Sequence, residues 1–320
     1  MTTTASTTST PPGPSPQGGQ PGSRAHARSR SSWLWLLAGA VLLPVTNLQT
    51  LVPVAAWLAP VFLLRFTRTQ RPLVALTSLV VVMSLTNLVA MRDGFFPIVG
   101  GIDYAVFVAG LGLFGALPYA VDRFLVSRLG SVSRTLVFPA AVTAVDLIGM
   151  RTSPFGAAGS IAYSQHADLP LVQLVSVTGI WGLTFLMSWL APVLNEIWER
   201  TLGPDVRMAT GLFVAALIGA LIFGGARLAF VGAAPETVRV AALAPDRTLS
   251  DAAYSAPPLR PGTPAERAAV REAHFVPVLD ELVERSRREA QAGAEIIAWS
   301  EAAALVLAED LPASWWVVEA

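Results

Sequence analysis

Apolar residues fall in seven runs, near 33–49, 51–66, 72–91, 101–121, 134–150, 170–194 and 208–231. Runs of this kind predict membrane-crossing helices, which need about 20 residues each. The second run is shorter than that, so the first two are also readable as one re-entrant hairpin. Pro44, Pro53, Pro60, Pro118, Pro139 and Pro192 sit in or at the ends of the runs. Membrane helices tolerate them because neighbouring groups satisfy the freed carbonyls. Residues 1–32 are rich in Thr, Ser, Pro and Gly and have almost nothing to bury, which predicts a disordered tail. This tail is too polar for a signal peptide, and no small-x-small cleavage site follows the first run, so that run is a retained anchor.

The pattern changes at Pro235, and residues 237–320 are mixed polar and apolar, as in a soluble domain. VRVAALA at 238–244 predicts a buried strand. A proline-rich linker follows at 254–264. Thr263, Pro264 and Glu266 then spell a helix start, with Thr as N-cap, Pro first and Glu third. That helix carries Val270, Val278, Leu279, Leu282 and Val283 on or near one face. Pro277 should kink it and Gly293 should stop it. EIIAW at 295–299 predicts a second strand, so the segment reads as a right-handed parallel βαβ unit. Glu301 falls just beyond the carboxyl end of that strand, the edge where open α/β sheets gather their chemistry.

Composition agrees with the runs. The 320 residues are 53% hydrophobic and 14% charged, with a mean hydropathy of +0.55. Soluble domains carry roughly 25% charged residues, so the chain reads as an integral membrane protein. Its net charge is zero, which gives no case for nucleic-acid binding. There is no cysteine, and all 22 basic residues are arginine. Thiol catalysis, thiolate metal sites and disulfides by these residues are therefore excluded, and no metal or cofactor is expected.

Arginine placement orients the runs. Arg24, Arg28 and Arg30 precede the first run; Arg65, Arg68 and Arg71 follow the second. Arg123, Arg128 and Arg134 follow the fourth, and Arg200 and Arg207 the sixth. The intervening loops hold only Arg92 and Arg151. This alternation fits seven crossings with the N-terminus in the cytoplasm and the residues after about 232 outside. The expected parts are a cytoplasmic tail at 1–32, a bundle at 33–232 and an extracytoplasmic α/β segment at 237–320.

Candidate chemistry is sparse. Glu301, beside Trp299 and small alanines, is either a desolvated general base or an ordinary capping or surface glutamate. Asp146 sits within the fifth run, where a buried carboxylate is costly and marks function by default. Asp103 reads as interfacial. His26, His166 and His274 read as exposed. Trp33, Trp35, Trp57, Trp181, Trp189 and Trp198 read as interface anchors or packing.

Three stretches resemble one family. Tyr163-Ser164-Gln165 in the fifth outer loop, QLVSVTGIWGLTFL from Gln173 to Leu186, and the Trp299-x-Glu301 motif at a strand end are together similar to the apolipoprotein N-acyltransferases. The resemblance implies a helical bundle carrying a nitrilase-like (carbon–nitrogen hydrolase) domain in a bacterial plasma membrane. It also implies a two-step reaction. An acyl chain leaves a phospholipid for a cysteine thiol, then passes to the N-terminal diacylglyceryl-cysteine of an apolipoprotein. In that family a glutamate is the general base, matched by Glu301. A lysine supports the oxyanion and a cysteine is the nucleophile. Neither type occurs among these 320 residues, so the chain acting alone is expected to be inactive. Truncation before the rest of the nitrilase-like domain is the expectation that follows. Tyr163, Gln165, Asp146 and Trp299 are the substrate-binding candidates. Ser300 stands where the family often has proline, and APDRTL replaces a glycine–aspartate turn. Two other readings remain. One is a non-catalytic membrane protein, such as a scaffold for a polyprenol-phosphate glycosyltransferase; the other is a transporter, for which no repeat symmetry is visible.

Overall fold

The computed structural model describes residues 21–46, 51–91, 101–152, 156–157, 159–200, 203–231, 237–256, 263–300 and 303. The chain divides into two compact units, residues 1–232 and 233–320. Among the described residues the first is helical, with α1 (Pro21–Leu42), α2 (Pro53–Thr69), α3 (Pro72–Ala90), α4 (Gly101–Leu125), α5 (Ser131–Thr152), α6 (Val175–Arg200) and α7 (Pro204–Phe230). Helices α2, α3 and α7 open on a proline. There the missing N–H is one the helix could not have paired anyway.

Among the described residues five helical stretches are long and apolar enough to cross a membrane: Pro72–Ala90, Gly101–Arg128, Val132–Thr152, Val175–Arg200 and Pro204–Phe230. The first two expected crossings come out shorter. The apolar part of α1 is Ser31–Val45. Helix α2 has 17 residues, about 26 Å of rise against a hydrocarbon core of about 30 Å. By length and composition five of the seven expected crossings are long enough to span among the described residues, and α1 and α2 form a shorter, paired unit. These two pack through Trp33 on Phe66, 5.4 Å between ring centres, and Trp35 stacked on Phe62 at 5.8 Å. Helix α1 begins at Pro21, inside the tail expected to be disordered; residues 1–20 lie outside the described residues.

Two clusters make the bundle core. One gathers Leu36, Leu63, Leu64, Phe66, Leu79, Tyr119 and Phe138 from α1 to α5. The other gathers Leu183, Leu186, Met187, Trp189, Val193, Phe213 and Ala220 from α6 and α7 with Ala162 and Leu171 between them. Close approach rests on small residues, as in other membrane bundles. A Cβ on Gly112 would collide with Ser84 of α3, and one on Gly224 would land on the Pro170 carbonyl. Helix α6 is broken near its start at Gly179, where φ is 63° and ψ is −174°.

The second unit holds β1 (Val240–Leu243), α8 (Arg247–Tyr254), α9 (Pro264–Val270), a π turn at Arg271–Phe275, α10 (Val276–Gln291) and β2 (Ile296–Trp299). The strands pair in parallel, Val240 opposite Ile296 through Leu243 opposite Trp299, so the strand–helix–strand reading holds. Leu243 packs with Val278, Leu282 and Ala303, which fixes the inner face. The kink expected at Pro277 is the π turn just ahead of it, which absorbs the amide that proline cannot supply. Gly293 ends α10 with φ 92°.

The capping box is complete. The Glu266 carboxylate accepts from the Thr263 amide at 2.8 Å, and the Thr263 hydroxyl accepts from the Glu266 amide at 3.3 Å. The backbone bond from Thr263, helped by its hydroxyl, holds the Glu266 carboxyl below its ordinary value of 4.5. A depressed carboxyl stabilises the fold fully above its unfolded pKa and loses that contribution as pH falls through the folded value. We therefore expect amide protection at 265–270, corrected for intrinsic exchange, to fall below about pH 4.5, and Glu266→Ala to abolish that dependence. Equal acid sensitivity in the variant would show that the cap is not the cause.

Candidate functional site

The site is assembled from a carboxylate within a span and a loop that it braces. Asp146 lies near the C-terminal end of α5. Its Oδ2 accepts from the Ser160 hydroxyl at 2.7 Å and from the Thr184 hydroxyl at 3.2 Å. The two hydroxyl oxygens are 3.2 Å apart. Ser160 and Thr184 are fully buried, at 1% and 0% exposure. Carboxylate hydrogen bonds are stronger than neutral ones, so this trio ties the loop before α6 to both α5 and α6. Ser160 also begins a 3-10 turn, Ile161–Gln165, by accepting from the Ala162 amide.

That turn carries Tyr163-Ser164-Gln165. The Gln165 amide donates to the Pro53 carbonyl at the start of α2, 3.1 Å, and to the Ser164 hydroxyl, 2.8 Å. Ser164 in turn donates to the Ile161 carbonyl at 2.7 Å. Ser164 and Gln165 are buried, whereas Tyr163 is 48% exposed. The motif thus divides into two buried clamps and one presented aromatic ring. His166 is exposed as expected, with Nδ1 3.2 Å from the Tyr163 carbonyl. Asp168 closes the loop by capping the turn Leu169–Val172. Ser160 is not set up as a nucleophile, because its proton is committed to Asp146 and its oxygen is buried. Among the described residues no group of three potential metal ligands comes together.

Of the expected residues, Asp146, Tyr163 and Gln165 thus converge on this loop. Trp299 belongs to the second unit; its indole N–H donates to the Ser286 hydroxyl at 2.9 Å, tying β2 to α10. Glu301 lies outside the described residues. Sequence reasoning missed Ser160 and Thr184. The signal was Asp146 itself, since a carboxylate in a span requires hydrogen-bond partners.

A second polar cluster sits at the opposite end of the bundle. Arg68 holds Asp122 with a two-pronged contact, Nε to Oδ2 at 2.9 Å and Nη2 to Oδ1 at 2.8 Å. Glu196 draws in Arg68 at 3.3 Å, Arg134 at 3.1 Å and Arg200 at 3.3 Å. The side chains of Arg68, Asp122 and Glu196 are 4%, 0% and 1% exposed. Arg123 donates to the carbonyls of Arg68 and Gln70, at 2.7 and 3.1 Å, which satisfies groups left free at the end of α2. The network locks α2, α4, α5 and α6 together.

Residues 39–193 match the Apolipoprotein N-acyltransferase N-terminal domain. A curated relative, the apolipoprotein N-acyltransferase of Bradyrhizobium diazoefficiens, is 32% identical over 126 residues. That alignment covers 38% of this chain and 22% of the relative. The match spans well under half of that protein's length. Both Tyr163–Gln165 and residues 173–186 fall inside 39–193. The chain is therefore N-acyltransferase-like over residues 39–193, while α7, Trp299 and Glu301 lie outside the matched segment.

Proposed function

We propose that this chain is the membrane part of a lipoprotein N-acyltransferase, binding a phospholipid acyl donor and the diacylated N-terminus of an apolipoprotein. The observation that carries the reading is the match over 39–193, which includes the braced loop at 160–165. Asp146 and Gln165 position that loop, and Tyr163 is the contact it offers to a lipidated peptide. In the second unit the parallel β1–β2 pair leaves Val240 and Ile296 exposed. Such an uncovered apolar sheet face is what one layer of a larger α/β domain presents, which supports a nitrilase-like assignment. Glu301 is the general base of that assignment.

The orientation has the N-terminus in the cytoplasm and residues after about 232 outside, from the arginine alternation. It holds whether α1 and α2 each cross or form a re-entrant pair, because seven crossings and five are both odd.

The chemistry of transfer needs an attacking thiol and an oxyanion-stabilising ammonium. These 320 residues contain no cysteine and no lysine. Serine is far less nucleophilic than a thiolate near neutral pH. Arginine is a broad, permanently charged fork and not a compact ammonium. The purified chain mixed with phospholipid and a diacylated lipopeptide is thus expected to give no N-acylated product by mass spectrometry, yet to crosslink the lipopeptide through a photoreactive residue at Tyr163. Turnover would refute the inactivity. Absence of a crosslink would refute the acceptor assignment. The missing nucleophile also favours a second reading, a non-catalytic scaffold for a polyprenol-phosphate glycosyltransferase, for which co-purification of that enzyme is the test.

A further inference from the structure

The geometry points to a binding site for one anionic phospholipid on the face between α6 and α7. A groove of about 390 Å³ runs there, lined on α6 by Val177, Gly182, Phe185 and Trp189 and on α7 by Gly219 and Phe223, among others. Its one hydroxyl, that of Thr178, is spent on a backbone carbonyl, at 3.0 Å from Leu174 and 3.1 Å from Gly179. Nothing polar is left inside for a peptide or a sugar to pair with, so an alkyl chain is the chemistry that fits.

The groove is hollowed by design of the sequence. Gly219 is one of its walls, and a Cβ placed there would meet nothing within 4 Å. Ala216, Gly219, Ala220 and Phe223 recur at helical spacing along one face of α7. The run from Ala216 to Arg227 rises about 16 Å. That equals the depth of a single leaflet, half of a hydrocarbon core about 30 Å thick.

Charge selects the occupant. Arg227 lies one turn beyond Phe223, and Gln173 directly precedes Leu174, another wall residue. Arg227 Nε donates to Gln173 Oε1 at 3.1 Å, bridging the two helices at the groove's end. Among the described residues this is the one hydrogen bond of its guanidinium, which leaves two terminal nitrogens for phosphate oxygens. A cation at the polar end of a leaflet-deep apolar slot matches a lipid with one chain in the slot and a net negative headgroup. A second copy of this chain or another helix would match that cation only by placing a carboxylate at the same depth. The assignment does not depend on acyl transfer.

The test uses the full chain in non-ionic detergent, incubated with phosphatidylglycerol or phosphatidylcholine of identical chains and weighed intact by mass spectrometry. One phosphatidylglycerol should be retained in preference to phosphatidylcholine. Arg227→Gln should reduce its retention roughly fivefold, and Arg227→Lys should keep most of it. Gly219→Phe, which fills the slot, should reduce both lipids. Equal retention of the two lipids by the native chain, or unchanged retention in either Arg227→Gln or Gly219→Phe, would overturn the site. A photoreactive residue at Val177 should crosslink to lipid; a crosslink to polypeptide instead would also overturn it and assign the groove to a protein contact. Arg227 is exposed, so its variants report binding without loss of the fold.

Discussion

Asp122→Ala should destabilise the bundle by about 3–5 kcal/mol, the largest effect we expect from any single substitution here. The carboxylate is fully buried and receives both prongs of Arg68, itself 4% exposed. Removing it leaves a guanidinium out of water with only a share of Glu196, which Arg134 and Arg200 already engage. An uncompensated buried charge, rather than the lost attraction, sets the size of the penalty. The double variant Asp122→Ala/Arg68→Met should recover most of it, because replacing both partners by apolar groups is often neutral. Arg68→Lys should fall between, since an ammonium cannot span both carboxylate oxygens while also reaching Glu196. Unfolding in mixed micelles by denaturing detergent would measure all three. A double variant no more stable than Asp122→Ala would show that the helices are held by something other than charge balance.

Gly179→Ala should cost about 1–3 kcal/mol. A φ of 63° with ψ of −174° belongs to a region that only glycine occupies readily. Space is not the issue: the nearest atom to a Cβ there is Trp181 Cδ1 at 3.4 Å, an ordinary contact. The strain is in the backbone, and relieving it would straighten α6 and move Leu174 and Thr178 away from Phe185. Gly219→Ala is the matched control. Its Cβ meets nothing within 4 Å, and alanine exceeds glycine in helix propensity by about 1 kcal/mol. Thermal unfolding in one detergent should separate the two variants in opposite directions. Equal melting temperatures would mean the break at Gly179 carries no strain.

Periodicity and punctuation made most of the elements legible. Thr263-Pro264-x-Glu266 announced its helix, and VRVAALA and EIIAW announced strands that do pair. What the sequence hid was pairing over distance. The apolar runs were cut at residues 121 and 194, so Asp122 and Glu196 fell outside them and their arginines read only as markers of sidedness. Among the described residues those carboxylates are the most buried charges in the bundle, 54 residues and 128 residues along the chain from Arg68. Asp146 was legible because it sits alone in an apolar run. Its hydroxyl partners were not, being 14 and 38 residues away in segments of unremarkable composition. The short α1 and α2 make the same point. Apolarity predicts that a segment is buried, but only the packing of α1 on α2 decides whether protein or lipid does the burying.

The contact between Gly224 and the Pro170 carbonyl keys α7 to the segment that follows the braced loop. A shift of α7 along its axis by one turn would bring Ala220 or Leu228 against that carbonyl, and neither offers the gap that glycine does. Piston-like sliding of this helix is therefore forbidden unless the turn at 169–172 travels with it. Motion at this end of the bundle must be a hinge or a joint displacement, so Tyr163 and Arg227 should move as one body.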